Sequence, residues 1–313
     1  AFPVSGPMSN TDSSFHQPVL LAAVLDAAAG ATRAVDATLG HGGHAAALRA
    51  RGIEVLGIDR DPDALATARA RLGDEGIGYL GAPYASPAAL QAVSAFQPDF
   101  VLLDLGVSSR QLDSTERGFT FRPGAPLDMR MGPDAPTAAE WLQSVSEEEL
   151  ARVCAEYADE RRARALARNV VRRRARAPLV VSDDLVNAIR ATLGPRSGPP
   201  DFARLFQAVR IAVNEELTGL ATALPSFRDA LAEGGRLAVI SYHSGEDRLV
   251  KNAFREWSRT CICPPRQPVC TCRGHAYGQT VPRKAIVPDS AEIAANPRAR
   301  SARLRIFQVT HAT

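Results

Sequence analysis

Val35-Asp36-Ala37-Thr38-Leu39-Gly40-His41-Gly42-Gly43-His44, followed by Val55-Leu56-Gly57-Ile58-Asp59-Arg60-Asp61-Pro62, is the stretch that decides the fold. A short apolar run feeds a turn of closely spaced glycines. An Ala-rich helical stretch follows, and then a second apolar run that ends in an acid. This is a β-turn-α-β-acid unit. Its glycines let the backbone approach a ligand that a Cβ would block, and the helix N-terminus supplies free N–H groups. Asp59, nineteen positions after Gly40, stands where an acidic residue takes ribose hydroxyls in nucleotide-binding sheets. The unit predicts a ligand carrying a ribose and an adenine.

Two cofactor classes fit. Gly40-x-Gly42-x-x-Ala45 satisfies the dinucleotide fingerprint and so admits NAD. S-adenosylmethionine (SAM) uses the same topology, with its amino-acid end over the glycine turn. A tight turn without a ligand would explain the glycines but not Asp59.

The alternation extends outward from this unit. Residues 18–29, 43–51, 62–72 and 86–96 read as helices, and residues 34–38, 53–58, 77–80 and 100–105 as strands. Such alternation predicts a parallel sheet covered on both faces, with ligands beyond the carboxyl ends of its strands. Asp36, Asp59 and Asp104 all fall at or near strand ends, so one cleft could collect them. Residues 111–137 are rich in Gly, Pro and charge and read as a long ordered loop. From 138 to 224 the segments are helical: 146–157 with Ser146 as cap, 160–176, 182–193, and 201–224 after a loop at 194–200. Strands resume at 236–241 and 304–309, around a helix at 245–257. The expected fold is α/β: a Rossmann-like, mostly parallel sheet (residues 1–112 and 217–313) with an inserted all-helical domain (113–216).

Composition is that of a soluble globular chain: 313 residues, 45% hydrophobic and 23% charged. The Ala-rich segments are broken by Arg, Asp and Pro before any reaches membrane-spanning length, so no membrane partner is expected. Residues 1–14 are polar and lack the basic start and apolar core of a signal peptide; Met8 is a candidate natural start. A cytoplasmic protein is expected. The net charge of +3 does not by itself predict nucleic acid. The arginines are nevertheless clustered: Arg161, Arg162, Arg164, Arg168, Arg172, Arg173, Arg174 and Arg176, and again Arg298, Arg300, Arg303 and Arg305. Arg suits phosphate forks and base stacking.

Two strand exits carry candidate chemistry. Leu103-Asp104-Leu105-Gly106-Val107-Ser108-Ser109-Arg110-Gln111 offers an acid and hydroxyls that could hold an amine, or a helix cap at Ser108 or Ser109. Tyr242-His243-Ser244-Gly245-Glu246-Asp247-Arg248 places His243 beside an acidic helix start, where it is a structural hydrogen-bonder or a site residue. A separate pair, Cys261-Ile-Cys263 and Cys270-Thr-Cys272, with Pro264, Pro265 and Pro268 between, could hold a structural zinc ion or be a reduced loop. Cys154, at an apolar helix position, reads as core packing.

These strings resemble the MraW/RsmH family: HQPVLL at 16–21, DATLGHGGH at 36–44, LDLGVSS at 103–109, ERGF at 116–119, LDMRM at 127–131, FQAVRI at 206–211, YHSGEDR at 242–248 and NPRARS at 296–301. The resemblance implies a SAM-dependent methyltransferase that methylates the N4 amine of a decoding-centre cytidine in 16S ribosomal RNA, within the small ribosomal subunit. It implies cofactor contacts at Gly42, Gly43 and His44 on the turn begun by Gly40, at Asp59 for the ribose, at Tyr84 beside the adenine, and at Asp104 and Gln111. Tyr84 stands where the family often has Phe. Gly245 replaces a common Leu, which could loosen the loop after His243. The Asp/Asn-Pro-Pro-aromatic string of other amino-group methyltransferases is absent, as in the family, so the catalytic group is unnamed. Methyl transfer is an in-line displacement governed by positioning, helped by an acceptor for the amine proton; Asp104, Ser108 and His243 are the candidates. The target base must leave its stack, and the Arg-rich helices would hold the RNA backbone. An NAD oxidoreductase leaves the Arg clusters unexplained, and a non-catalytic RNA-binding protein leaves the cofactor cleft without a purpose. Nothing in the sequence sets the oligomeric state.

Overall fold

A computed structural model describes residues 17–264, 267 and 269–311. The expected loop at 1–14 with Met8, His16 of the HQPVLL string, Pro265 and Pro268 lie outside the described residues. The sheet has seven strands: β1 Arg33–Asp36, β2 Glu54–Asp59, β3 Ile77–Gly81, β4 Phe100–Asp104, β5 Arg236–Ser241, β6 Gly278–Thr280 and β7 Arg303–Val309. They lie in the order β3-β2-β1-β4-β5-β7-β6. β1 to β5 pair in parallel, and β7 wedges antiparallel between β5 and β6.

The alternating residues of each strand face opposite cores. Val35, Val101, Leu103, Leu237 and Val239 pack with Phe227, Phe254 and Trp257 on one side. Ala34, Val55, Phe100, Leu102 and Ala238 pack with Val24 and Leu48 on the other. Strands buried on both faces read as continuous apolar runs, which is why β4 is so plain in the sequence. A third core, including Leu142, Leu150, Val153, Leu166, Ile189, Phe202 and Phe206, belongs to the helical insertion. Its helices are Ala138–Ser144, Glu147–Ala158, Ala163–Arg174, Ser182–Leu193 and Pro199–Val213. The architecture is thus an α/β sheet interrupted by an all-helical insertion. No helix among the described residues is long and apolar enough to cross a membrane.

Three expectations need correction. The single helix at 201–224 is two, Pro199–Val213 and Glu216–Ala230. The Asn214 side chain bonds to Met129 O, Met131 N and Arg210 O, and Glu215 takes a left-handed φ of 53°. A side chain competing for backbone groups ends the helix there. The loop at 194–200 is shorter than expected, because Pro199 and Pro200 open the next helix, where a missing N–H costs nothing. The loop at 111–137 begins with a short helix, Ser109–Asp113, and a 3-10 turn, Thr115–Arg117. β6 has no counterpart among the expected strands; three residues are too few to show a period.

Candidate active site

β1 pairs with both β2 and β4, so the connections leave it in opposite directions and open a crevice beyond its carboxyl end. A cavity of about 720 Å³ occupies that crevice, within the range of cofactor-sized sites. Gly40, Gly43, His44, Asp59, Tyr84, Asp104, Ser108, Gln111 and His243 all line it. Gly42 is not among the lining residues. Its φ is 75°, and a Cβ there would come within 2.7 Å of Leu72 Cδ1, so it faces the neighbouring helix and turns the chain into Gly43–Arg49.

The turn is tied to the end of β2. Gly40 N–H donates to Asp59 Oδ2 at 2.7 Å, and Asp61 N–H donates to Asp59 Oδ1 at 2.9 Å. Asp104 N–H donates to Thr38 Oγ1 at 2.6 Å, tying the ends of β4 and β1. The Tyr242 hydroxyl donates to Asp104 Oδ1 at 2.8 Å, and His44 Nε2 lies 3.5 Å from Oδ2. Nδ1 of buried His44 has no hydrogen-bond partner in the protein, and its Nε2 has only the ion-pair contact with Asp104.

The floor is electronegative. Burial raises the Asp36 carboxyl from 3.8 to about 6, and raises Asp59 as well despite the backbone N–H groups it accepts. For His44, burial disfavours the cation, but Asp104 and Asp36 beside it prevail and hold the imidazole above 6.5. Asp59 and Asp104 line the cavity floor while Asp36 lies buried outside the lining, and a floor of these two carboxylates suits a cationic ligand and repels a pyrophosphate.

Two candidate catalytic residues act as helix caps. Ser108 Oγ accepts from Gln111 N–H at 3.2 Å, and Gln111 Oε1 accepts from Ser108 N–H at 2.9 Å. His243 Nδ1 accepts from Glu246 N–H at 3.4 Å, capping Ser244–Trp257, while its Nε2 stands 3.1 Å from Glu246 Oε1 without hydrogen-bond alignment. Tyr84, half-buried, donates to Glu216 O at 3.4 Å, and the desolvation of its hydroxyl pushes it well above 10.

The insertion supplies the opposite wall through Phe119, Phe121, Met129, Met131, Phe206 and Arg210. Phe121 meets Phe202 and Phe206 edge-on at 5.9 and 6.0 Å. Arg210 makes a bidentate pair with Glu216, both contacts at 2.9 Å. Burial works against the Arg210 cation, and Glu216 more than compensates. Sequence reasoning missed this pair, because its two members lie across the helix break at Asn214. It also missed Asp61, whose carboxylate accepts from Asp63 N–H, Gln111 Nε2 and Arg117 Nη2. The signal was present as Asp before Pro at a helix start.

The arginine clusters divide. Arg174 donates to Leu142 O and Val145 O, Arg298 pairs with Asp113, and Arg305 with Asp247. Arg161, Arg162, Arg164, Arg172 and Arg176 are exposed on the insertion, and Arg300 and Arg303 near the C-terminus. Cys154 is buried, and burial pushes its thiol up to about 12. Cys261, Cys263, Cys270 and Cys272 come together, with all four sulfurs within 4.8 Å of one another.

The family model described as the MraW methylase family matches residues 13–310. The chain is 57% identical to a ribosomal RNA small subunit methyltransferase H from Gemmatimonas aurantiaca, over 98% of this chain and 99% of that one. It is 45% identical to the protein of the same name from Heliobacterium modesticaldum, over 93% and 97%. A solved rRNA methylase from Streptococcus thermophilus covers 93% of this chain and 92% of its own at 14% identity, with a TM-score of 0.38, too loose a likeness to bear on the site.

Proposed function

This chain belongs to the MraW methylase family, and from that premise we propose that it is a SAM-dependent methyltransferase of small-subunit ribosomal RNA. Its acceptor is the N4 amine of a decoding-centre cytidine in 16S rRNA. The observation that carries this reading is the cavity, with strand-end carboxylates on one wall and aromatic and thioether side chains of the insertion on the other. The name shared by these relatives, ribosomal RNA small subunit methyltransferase H, supports the substrate class.

The residues present fit the cofactor. The unpartnered Nδ1 of His44 is an unusual state for a buried polar atom, and a ligand's polar group would satisfy it. The carboxylate floor complements a sulfonium and an ammonium, and disfavours the pyrophosphate of NAD. Gly40, Gly43 and His44 would hold the amino-acid end, Asp59 the ribose, Tyr84 the adenine side, and Asp104 and Gln111 the space between. Gly42 shapes the turn from outside. The bound cofactor supplies an electrophilic methyl group.

The chain's own residues position the base and receive its proton. Phe119, Phe121 and Phe206 offer faces and edges for a base taken out of its stack, and exclude water from it. Asp104 is the leading acceptor for the N4 proton: its side chain is 25% exposed to the cavity, and the Tyr242 hydroxyl occupies only one of its roughly four lone-pair sites. Ser108 and His243 are engaged as caps and would position the base. Residues 113–216 serve as the substrate-recognition unit, with 1–112 and 217–313 as the cofactor-binding core. The exposed arginines of the insertion hold phosphates.

The test is transfer of labelled methyl from SAM to undermodified small subunits, naked 16S RNA and large subunits, followed by nucleoside analysis. N4-methylated cytidine on small-subunit material alone is expected. No transfer to any acceptor, with SAM binding intact, would overturn the substrate.

A further inference from the structure

We propose that Cys261, Cys263, Cys270 and Cys272 bind one Zn²⁺ as a tetrathiolate that shapes the loop between the helix Ser244–Trp257 and β6. The Sγ separations are 3.9 Å for Cys261–Cys270, 3.8 Å for Cys263–Cys270, 3.8 Å for Cys261–Cys272 and 3.4 Å for Cys270–Cys272. Four sulfurs placed tetrahedrally about 2.3 Å from zinc stand about 3.8 Å apart. A disulfide requires about 2.0 Å, and none of the four is bonded. The sulfurs thus sit near the corners of a zinc-sized tetrahedron, with four of the six edges at 3.4–3.9 Å and the other two within 4.8 Å.

Burial does not account for this convergence. Cys261 and Cys270 are exposed, and the loop also holds Val269 outward at 70% exposure. A loop that buries so little apolar surface has no core to order it, and small segments of that kind are commonly stapled by metal. Ile262 N–H donates to Cys272 Sγ at 3.4 Å, the kind of outer contact that steadies a metal-bound thiolate.

The far end of the loop is anchored by protein contacts alone. Arg273, next to the last cysteine, donates to Glu256 Oε1 at 2.6 Å, Glu256 O at 2.7 Å and Arg259 O at 3.0 Å. Tyr277 N–H donates to Trp257 O at 2.9 Å. The ion would close the near end against this clamp. Binding exchanges thiol protons for the metal and releases them to solvent. Among the described residues no other His, Cys, Asp or Glu group gathers in this way.

The experiment uses the untagged full chain, purified under reducing conditions, with metal measured by plasma mass spectrometry and Co²⁺ exchanged into the site for absorption spectroscopy. The expected result is about one zinc per chain after dialysis and the intense visible band of a tetrahedral thiolate with cobalt. Cys270→Ser and Cys272→Ser should each weaken zinc binding by about 100-fold or more, while Cys154→Ser binds as the parent does. The proposal is overturned if the parent chain holds no zinc after reconstitution. Retention of zinc by the variant lacking all four thiols would overturn it as well, as would disulfide-linked 261–272 peptides in freshly purified protein.

Discussion

Replacing Asp61 with alanine should detach the loop at 111–131 from the sheet and weaken both stability and cofactor binding. Three bonds converge on this one carboxylate, whose side chain is 6% exposed. Oδ1 caps the helix Pro62–Leu72 through Asp63 N–H at 3.1 Å, and losing such a cap costs about 1 kcal/mol. Oδ2 accepts from Gln111 Nε2 at 2.9 Å; an orphaned amide costs about 1 kcal/mol more. The Arg117 pair, also at 2.9 Å, would cost about 3–5 kcal/mol if fully buried. Arg117 is 29% exposed and keeps the Arg130 carbonyl at 3.1 Å, so about 1–2 kcal/mol is the better figure. The three losses share a carboxylate and do not simply add, which leaves about 3 kcal/mol in all. Asp61→Asn keeps the shape and the cap and should lose about half of that. Urea unfolding followed by Trp fluorescence reads the stability. Isothermal calorimetry reads SAM affinity, expected to weaken about tenfold as Gln111 and the loop shift, equivalent to about 1.4 kcal/mol. A loss below about 1 kcal/mol in the alanine variant, with the asparagine variant matching the parent, would refute the reasoning: the bonds would then be worth no more than surface pairs.

Asp36 should make stability fall with rising pH. A carboxyl that ionises near 6 when folded rather than at 3.8 binds its proton more tightly in the native state, so stability is lost as pH rises through that window, by about 3 kcal/mol in total. The stability of the parent minus that of Asp36→Asn should therefore drop by this amount between about pH 4 and 7 in paired urea titrations, and a flat difference would contradict it. Asp104→Asn should cut kcat by about 100-fold or more and weaken SAM affinity by a much smaller factor, and Tyr242→Phe should cut kcat less; single-turnover methyl transfer with calorimetry separates the two effects. Arg174→Ala, which frees the Leu142 and Val145 carbonyls, should cost about 2 kcal/mol in thermal unfolding and leave the salt dependence of RNA binding unchanged. The double change Arg172→Ala and Arg176→Ala should do the reverse, flattening the plot of log affinity against log salt by about 0.7 for each phosphate no longer neutralised.

Much of the cofactor half is legible because its signals are local. The helix at 62–72 has the bounds that the sequence predicts, since Asp61 caps it, Pro62 opens it and Gly73 closes it. The helix at 182–193 is likewise plain from its acidic start and terminal glycine. What escapes depends on partners distant in sequence. Apolar periodicity runs through Asn214, and only its bonds to Met129 and Met131 reveal that its side chain breaks the helix. Residue type marks Arg174, Arg298 and Arg305 as cations but not that carbonyls and carboxylates already hold them. Gly42 reads with its neighbours as a ligand contact, and only its φ and the position of Leu72 show that it points away. Ser108 and His243 carry two readings each, and the capping bonds are what the fold adds.

The placement of β7 has a consequence for how the molecule is made. β7, made after both of its neighbours, lies between β5 and β6, and the segment just before it brings Asn296, Arg298 and Ser301 to the cavity and Glu292 to the Leu20 N–H. Until those residues emerge, β5 presents an open edge of unpaired N–H and C=O groups, a template for pairing with another chain. Between the synthesis of β5 and that of β7 the chain is therefore aggregation-exposed and its site incomplete, and closure of the sheet and completion of the site come together when β7 pairs.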